Sequence, residues 1–212
     1  MRPPIHSETV QLIARRYAMD APRRAVEAAW WHAAGESDDV WLNRIGNADL
    51  FGKRHGHQRR LTAAALQAGT AALKCNAGKL KAASDFHTLC CLVEDLFRPI
   101  YGLGELAAYD AAERLRYRLG LESKHVIYLH AGARVGARRL AGGRLGREEA
   151  WGIHRSGVPE GLRNFSTHDI ENMLCMFKDD FLLTPEQFIA RYEDGRMKKS
   201  ACGSAASYSA SC

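Results

Sequence analysis

Residues 96–140 read LFRPIYGLGELAAYDAAERLRYRLGLESKHVIYLHAGARVGARRL, and the organisation of the chain follows from the middle of this segment. There, Gly102-Leu103-Gly104 separates two segments that both have the apolar spacing of a helix. Pro99 ends the first segment, because proline has no N–H to continue a helix. Glycine permits backbone angles that side chains disfavour, and we expect Gly104 to need a positive φ. The sequence therefore predicts two helices joined by a tight turn over about residues 85–120.

The rest of the chain has the same helical character. The apolar residues on either side of the turn are Phe86, Leu89, Cys90, Val93 and Leu96 before it, and Leu106, Tyr109, Ala112, Leu115 and Leu119 after it. Stretches of alternating apolar and polar residues are scarce, so we predict a mainly α protein. Residues 125–130 are the exception, since four consecutive apolar residues fit one short extended segment. A lone strand would lack a pairing partner, so a helix is the alternative there.

Length and composition predict one domain and a tail. The chain has 212 residues, of which 46% are hydrophobic and 25% charged, which is typical of a globular protein. We predict a single helical domain over residues 1–195. Residues 196–212 are small and polar, so we predict a disordered tail.

The turn resembles a known DNA-binding motif. Ile100-Tyr101-Gly102-Leu103-Gly104-Glu105-Leu106-Ala107-Ala108 is similar to the hairpin of the helix-hairpin-helix superfamily, which includes base-excision DNA glycosylases. The match is Gly–apolar–Gly followed, four positions on, by a small residue where two helices pack closely. The resemblance implies binding to the backbone of double-stranded DNA, with the N–H groups of Glu105 and Leu106 facing a phosphate. The alternative is a turn that serves helix packing alone. Together with Tyr128-Leu129-His130-Ala131-Gly132, the segment also resembles bacterial proteins of uncharacterised function.

The catalytic residues that this resemblance implies do not match. Lyase-type glycosylases carry a lysine just after the second glycine, where this chain has Glu105 and Leu106. Family members also place an aspartate after the second helix, where this chain has Tyr128. We therefore expect DNA binding without base excision. An enzyme related to glycosylases with relocated catalytic groups is a further hypothesis, which a deep pocket holding a carboxylate beside His130 would favour.

The charge of the chain favours an anionic partner. The formal net charge is +6 and the sequence pI is about 9.1. The basic residues that we assign to phosphate contact, without sequence specificity, are Lys53, Arg54, Arg59 and Arg60 in a loop, and Arg134, Arg138 and Arg139 on a short helix. The alternative for both groups is an ordinary solvated surface.

Neither a metal nor a cofactor is predicted. His55 and His57 are close in sequence, but no third ligand is in view beside them. The six cysteines form no C-x-x-C pair, and Cys90, Cys91 and Cys175 lie in apolar helical segments where we expect free thiols. Gly102-Leu103-Gly104 lacks the preceding strand and the third glycine of a dinucleotide-binding loop.

Compartment and partners follow from the remaining features. Met1-Arg2-Pro3-Pro4 precedes a charged amphipathic segment rather than the apolar core of a signal peptide. No apolar run approaches the length of a membrane span, so we expect a cytoplasmic protein with no membrane partner. A helical protein–protein interaction module is the alternative function, which an exposed patch at Trp30 and Trp31 would favour. The sequence gives no indication of the oligomeric state.

Overall fold

The computed structural model describes residues 6–142 and 152–193, and the described chain is mainly helical as predicted. The helices are α1 (Ser7–Met19), α2 (Ala21–His32), α3 (Asp38–Gly46), α4 (Ala63–Cys75), α5 (Ala77–Lys81), α6 (Phe86–Phe97), α7 (Glu105–Leu119), α8 (Ala131–Leu140), α9 (Glu160–Arg163), α10 (Thr167–Met176) and α11 (Pro185–Glu193). The strands are β1 (Asp49–Leu50), β2 (Lys53–Arg54), β3 (Val126–Tyr128) and β4 (Gly152–His154). Two 3₁₀ helices cover Gly56–Gln58 and Arg155–Gly157. The predicted tail, 196–212, lies outside the described residues.

The chain divides into two compact units where the sequence predicts one domain. Among the described residues, unit 1 comprises residues 6–21, 123–142 and 152–193, and unit 2 comprises residues 22–122. Unit 1 is discontinuous because α1 packs with α9, α10 and α11 from the far end of the chain. Sequence periodicity describes each helix locally, so it does not reveal this pairing of distant segments.

Unit 2 contains the predicted pair of helices, α6 and α7, which contact each other and pack with α3 and α4. Side-chain caps set where three of these helices begin. The Ser37, Thr62 and Asp85 side chains accept hydrogen bonds from backbone N–H groups in the first turns of α3, α4 and α6. Pro99 follows the end of α6 by two residues, as predicted.

Glycines allow α4 to approach its neighbours closely. A Cβ added at Gly46 in α3 would lie only 2.6 Å from the Cα of Thr70 in α4. A Cβ added at Gly69 in α4 would lie 2.9 Å from Cδ1 of Leu103 and 3.3 Å from the ring of Phe97. The 2.6 Å distance to backbone is shorter than a carbon–carbon contact allows, so the crossing of α3 and α4 needs glycine at position 46, whereas at position 69 the Leu103 and Phe97 side chains would have to shift.

Unit 1 is built on a core shared by α1, β3, α8 and α10. Ile13, Ile127 and Met173 are fully buried in it. A Cβ added at Gly136 in α8 would lie 2.7 Å from the carbonyl carbon of Leu174, so α8 and α10 cross at backbone contact. α11 begins with a capping box, in which Thr184 and Gln187 exchange side-chain hydrogen bonds with each other's backbone N–H.

The extended segment at residues 125–130 is a strand, and it has a partner. β3 pairs antiparallel with β4, with Val126 opposite His154 and Tyr128 opposite Gly152. β1 and β2 form a hairpin whose turn and second strand lie within the predicted basic loop. The described chain therefore has four short strands where at most one extended segment was predicted. The strands of both pairs are only two or three residues long, too short for alternation to be visible in the sequence.

The structure also defines the buried face of α2 and the state of two cysteines. α2 buries Trp31, whereas Val26 is exposed, because this alanine-rich helix is compatible with more than one buried face. Cys90 and Cys91 have free thiols, as predicted. None of the described helices is both long enough and apolar enough to cross a bilayer.

Candidate functional site

In the turn between α6 and α7, the glycine with a positive φ is Gly102. Gly102 has a φ of +93°, a region that side chains rarely enter. Gly104 has φ −109° and ψ −176°, which is ordinary extended backbone for the residue before a helix. The expectation of a positive φ at Gly104 is therefore wrong, since the chain reverses two residues earlier. Gly104 begins α7 without a side-chain cap, and its carbonyl accepts the Ala107 and Ala108 N–H groups.

The turn is fixed against α4. The Leu103 side chain is buried, close to Gly69, and its backbone N–H donates to the Ile100 carbonyl over 3.1 Å. A Cβ at Gly102 would lie 3.6 Å from the Cβ of Ala65, in the first turn of α4. Leu103 thus anchors the hairpin, while Gly102, Gly104 and Glu105 are exposed and Leu106 is half-buried. Tyr101, at the tip, is 100% exposed.

The basic run 51–60 is a structured segment rather than the predicted loop. It contains the β1–β2 turn, strand β2 and the first 3₁₀ helix, and it leads directly into the N-cap of α4 at Thr62. Lys53, Arg54, Arg59 and Arg60 are all exposed. The Arg54 guanidinium donates to the Leu61 carbonyl over 2.8 Å, which closes the segment on itself.

A buried polar network ties this segment to α7. Gln58 is buried, its amide nitrogen donates to the Asp110 carboxylate, and its amide oxygen accepts from Arg114 over 2.8 Å. His57 Nδ1 lies 3.2 Å from Asp110 Oδ2, and the Arg114 guanidinium lies 3.8 Å from the same oxygen. His55 Nδ1 accepts the His57 N–H, 3.4 Å away, at the start of the 3₁₀ helix. The network therefore fixes the backbone between Lys53–Arg54 and Arg59–Arg60, the basic residues that precede and follow it in the chain.

Charges in the network set the ionisation of its members. Burial alone would raise the pKa of Asp110, but the His57 hydrogen bond and the Arg114 charge outweigh it and bring the pKa down to about 2. Burial, with the nearby Arg114 charge, lowers the pKa of His55 to about 3, so this ring is neutral at pH 7. The site thus holds an ionised carboxylate beside a neutral imidazole.

Sequence reasoning found only part of this network. Asp110 and Arg114 are four residues apart on one helix, a spacing that allows them to pair. The third member, Gln58, lies 52 residues from Asp110, and an uncharged side chain within a basic run gives no signal of burial. Residues 58–60 are tied to the helix that follows the turn, because Gln58 bonds to Asp110 of α7.

The remaining predicted arginines belong to unit 1. Arg134, Arg138 and Arg139 lie on α8, as predicted. Arg134 donates to the Leu129 carbonyl over 2.9 Å, and Arg139 pairs with Asp179. Arg138 is the exposed one of the three. Two of these arginines thus have structural partners within their own unit.

The aromatic patch that would favour a protein partner is not exposed. Trp31 is buried, with the Arg114 guanidinium 4.9 Å from its ring centroid. Trp30 is half-buried, with the Arg44 guanidinium 3.9 Å from its ring centroid and Phe51 in contact on the same ring system. Both tryptophans therefore stabilise unit 2 from within.

A carboxylate does lie beside His130, but both groups are buried. Nε2 of His130 pairs with Glu171 of α10, and the two residues are only 6% and 2% exposed. Nδ1 of His130 accepts the Gly132 N–H at the start of α8. This arrangement holds α8 and α10 together. His130 and Glu171 present almost no surface to a substrate.

Comparisons of the chain with protein-family models, curated proteins and solved structures find no match.

Proposed function

We propose that unit 2 binds the phosphate backbone of double-stranded DNA without sequence preference, through the α6–α7 turn and the adjoining basic segment. The observation that carries the proposal is their adjacency. A Cβ built on Gly102 would lie 3.6 Å from the Cβ of Ala65 in the first turn of α4, and Arg60 lies three residues before that helix begins at Ala63. The resemblance of the turn to a helix-hairpin-helix supports the same function.

Each part of this surface has a defined role in phosphate binding. The start of α7 offers backbone N–H groups that no Gly104 side chain caps, and a helix N-terminus attracts anions. Arg59 and Arg60 neutralise neighbouring phosphates, and the Gln58–Asp110 bond keeps their backbone beside α7. Glu105 opposes binding, because its carboxylate competes with a phosphate for the same helix terminus.

Base excision is not part of the proposal. Glu105 follows Gly104 where lyase-type glycosylases have lysine, and Tyr128 replaces the expected aspartate. The carboxylate of Glu171 near His130 is buried in the core of unit 1. The chain therefore lacks, at the matching positions, the lysine and the aspartate that the resemblance implies for base excision.

A salt-dependent titration tests the proposal. Affinity of the full chain for a short labelled duplex is measured by fluorescence anisotropy at several salt concentrations. We expect affinity to fall steeply with salt, with a slope of about 0.9 for each phosphate contacted. The double variant Arg59→Ala/Arg60→Ala should bind more weakly and lose about 1.8 from that slope.

The control is a second double variant with the same loss of charge. Arg23 in α2 and Lys79 in α5 are exposed residues of unit 2 that lie outside the proposed surface, so Arg23→Ala/Lys79→Ala should retain most of the affinity. Equal losses in the two double variants would show an effect of net charge alone and contradict the proposed surface. Affinity that is independent of salt would contradict backbone binding itself.

A further inference from the structure

We infer that His55, His57 and Asp110 form a binding site for a divalent transition-metal ion, with Zn²⁺ as the ion that suits these ligands. Each residue offers one ligand atom, and the three atoms lie within 4.8 Å of one another. This arrangement revises the prediction that no third ligand accompanies the two histidines. Imidazole nitrogen and carboxylate oxygen are both ordinary zinc ligands.

The distances are close to those of a formed site. Two ligands of a tetrahedral zinc ion, each about 2.0 Å from the metal, lie about 3.3 Å apart. His57 Nδ1 and Asp110 Oδ2 are already 3.2 Å apart. Closing the remaining separation of up to 4.8 Å requires the His55 ring to move by about 1.5 Å, within the range of a side-chain rotation.

The surroundings hold the ligands and leave access to them. The Gln58 amide donates to Asp110, and the Glu27 carboxylate lies 3.8 Å from His55 Nε2. The Gln58 amide orients Asp110 as an outer-shell partner does. Because Nδ1 of His55 accepts the His57 N–H, Nε2 is the nitrogen left to bind the metal, and the Glu27 carboxylate lies next to it. The side chains of His55, His57 and Asp110 are 17%, 21% and 10% exposed, so water can reach the site and complete the coordination.

The net charge also favours a cation. Histidine binds a metal in its neutral form, so the charged groups beside the ligands are the Asp110 and Glu27 carboxylates and the Arg114 guanidinium. Arg114 lies 3.8 Å from Asp110 and weakens the attraction, but its nitrogen Nη2 donates to Gln58 at 2.8 Å and its guanidinium stacks on Trp31. The inference does not depend on DNA binding.

Titration of the metal-free full chain with Co²⁺ is the test, because Co²⁺ substitutes for Zn²⁺ and reports its ligands by absorption. We expect one equivalent to produce visible ligand-field bands without the near-ultraviolet charge transfer that thiolate ligands give. His57→Gln, which keeps an amide able to donate to Asp110, should lower the affinity at least about tenfold. Zn²⁺ should displace the bound Co²⁺.

His87→Gln is the matched control. His87 Nε2 lies 3.7 Å from the sulfur of Cys91 on α6, which is the competing histidine–thiol pair in the described chain. Loss of binding in His87→Gln, or unchanged affinity in His57→Gln, would overturn the inference. Circular dichroism and melting in chelator establish that each variant is folded.

A measurement on the unaltered protein covers the case in which His57→Gln fails to fold. Paramagnetic Co²⁺ should shift the ring-proton NMR signals of His55 and His57 at one equivalent, before those of His87, His125 and His154. An order that begins at His87, or no shift at His55 and His57, would overturn the inference.

Discussion

Serine placed at each of the two glycines of the α6–α7 turn should have opposite effects on stability. Gly102 has a φ of +93°, so any side chain there is strained even though only the Ala65 Cβ lies nearby, at 3.6 Å. Gly104 has a φ of −109°, and a Cβ built on it meets nothing within 4 Å. The two positions are two residues apart and both are exposed, so burial does not distinguish them.

The magnitudes follow from these backbone angles. Gly102→Ser should lower the free energy of unfolding by about 1–2 kcal/mol, the cost of a left-handed conformation for a residue with a Cβ. Gly104→Ser should raise it by a few tenths of a kcal/mol, because the serine oxygen can accept an N–H from the first turn of α7. The variants should therefore differ by about 1.3–2.5 kcal/mol, roughly a tenfold or greater difference in the folded-to-unfolded ratio.

Urea denaturation followed by tryptophan fluorescence measures this difference. Trp30, Trp31 and Trp41 all belong to unit 2, so the signal is dominated by the unit that contains the turn. We expect the midpoint to fall for Gly102→Ser and to rise slightly for Gly104→Ser, with unchanged slopes. Equal midpoints, or a larger loss of stability in Gly104→Ser, would refute the assignment of the positive φ to Gly102.

The same pair of variants separates stability from DNA binding. In Gly104→Ser the serine oxygen occupies an N–H group that a phosphate would otherwise use. We expect this variant to bind duplex DNA several-fold more weakly than the unaltered protein while being slightly more stable. Affinity that follows stability in both variants would indicate that the turn serves only to pack the helices.

Three further results are expected. Gly46→Ala should lower the free energy of unfolding by about 1–3 kcal/mol, because Gly46 approaches α4 closely. Gly78→Ala should raise the free energy of unfolding by up to about 1 kcal/mol, because the space around Gly78 is open. The midpoints of urea denaturation compare the two variants. The backbone N–H of Thr88 donates to Asp85 and lowers the pKa of this carboxyl in the folded protein below its ordinary value of 3.8. The stability that the cap contributes is therefore fully present above pH 3.8 and is lost as the pH falls through the folded pKa. Melting temperatures between pH 6 and pH 2.5 should therefore fall more for the unaltered protein than for Asp85→Asn, and parallel curves would contradict this. Tyr101→Ala should weaken DNA binding without loss of stability, because this side chain is fully exposed at the tip of the turn; anisotropy and melting on one sample test both parts.

Features encoded by neighbouring residues were predictable from the sequence. Asp85 and Pro99 bound α6 because capping and ring geometry act within one helical turn. The box formed by Thr184 and Gln187 at the start of α11 is equally local. The register of α2 was not predictable, because an alanine-rich helix with two adjacent tryptophans is compatible with more than one buried face.

The candidate site depends on contacts that no local signal encodes. Gln58 lies among lysine, histidine and arginine residues, and a basic run of this kind predicts an exposed loop. It is buried because Asp110 and Arg114 on α7 supply an acceptor and a donor for the two ends of its amide. The geometry of Arg59 and Arg60 therefore depends on a helix about fifty residues away, and replacing Asp110 should disturb the basic segment as much as the helix that carries it. Site residues on this chain are thus identified by following buried polar partners between elements, since charge patterning alone predicts the exposed arginines and misses the groups that position them.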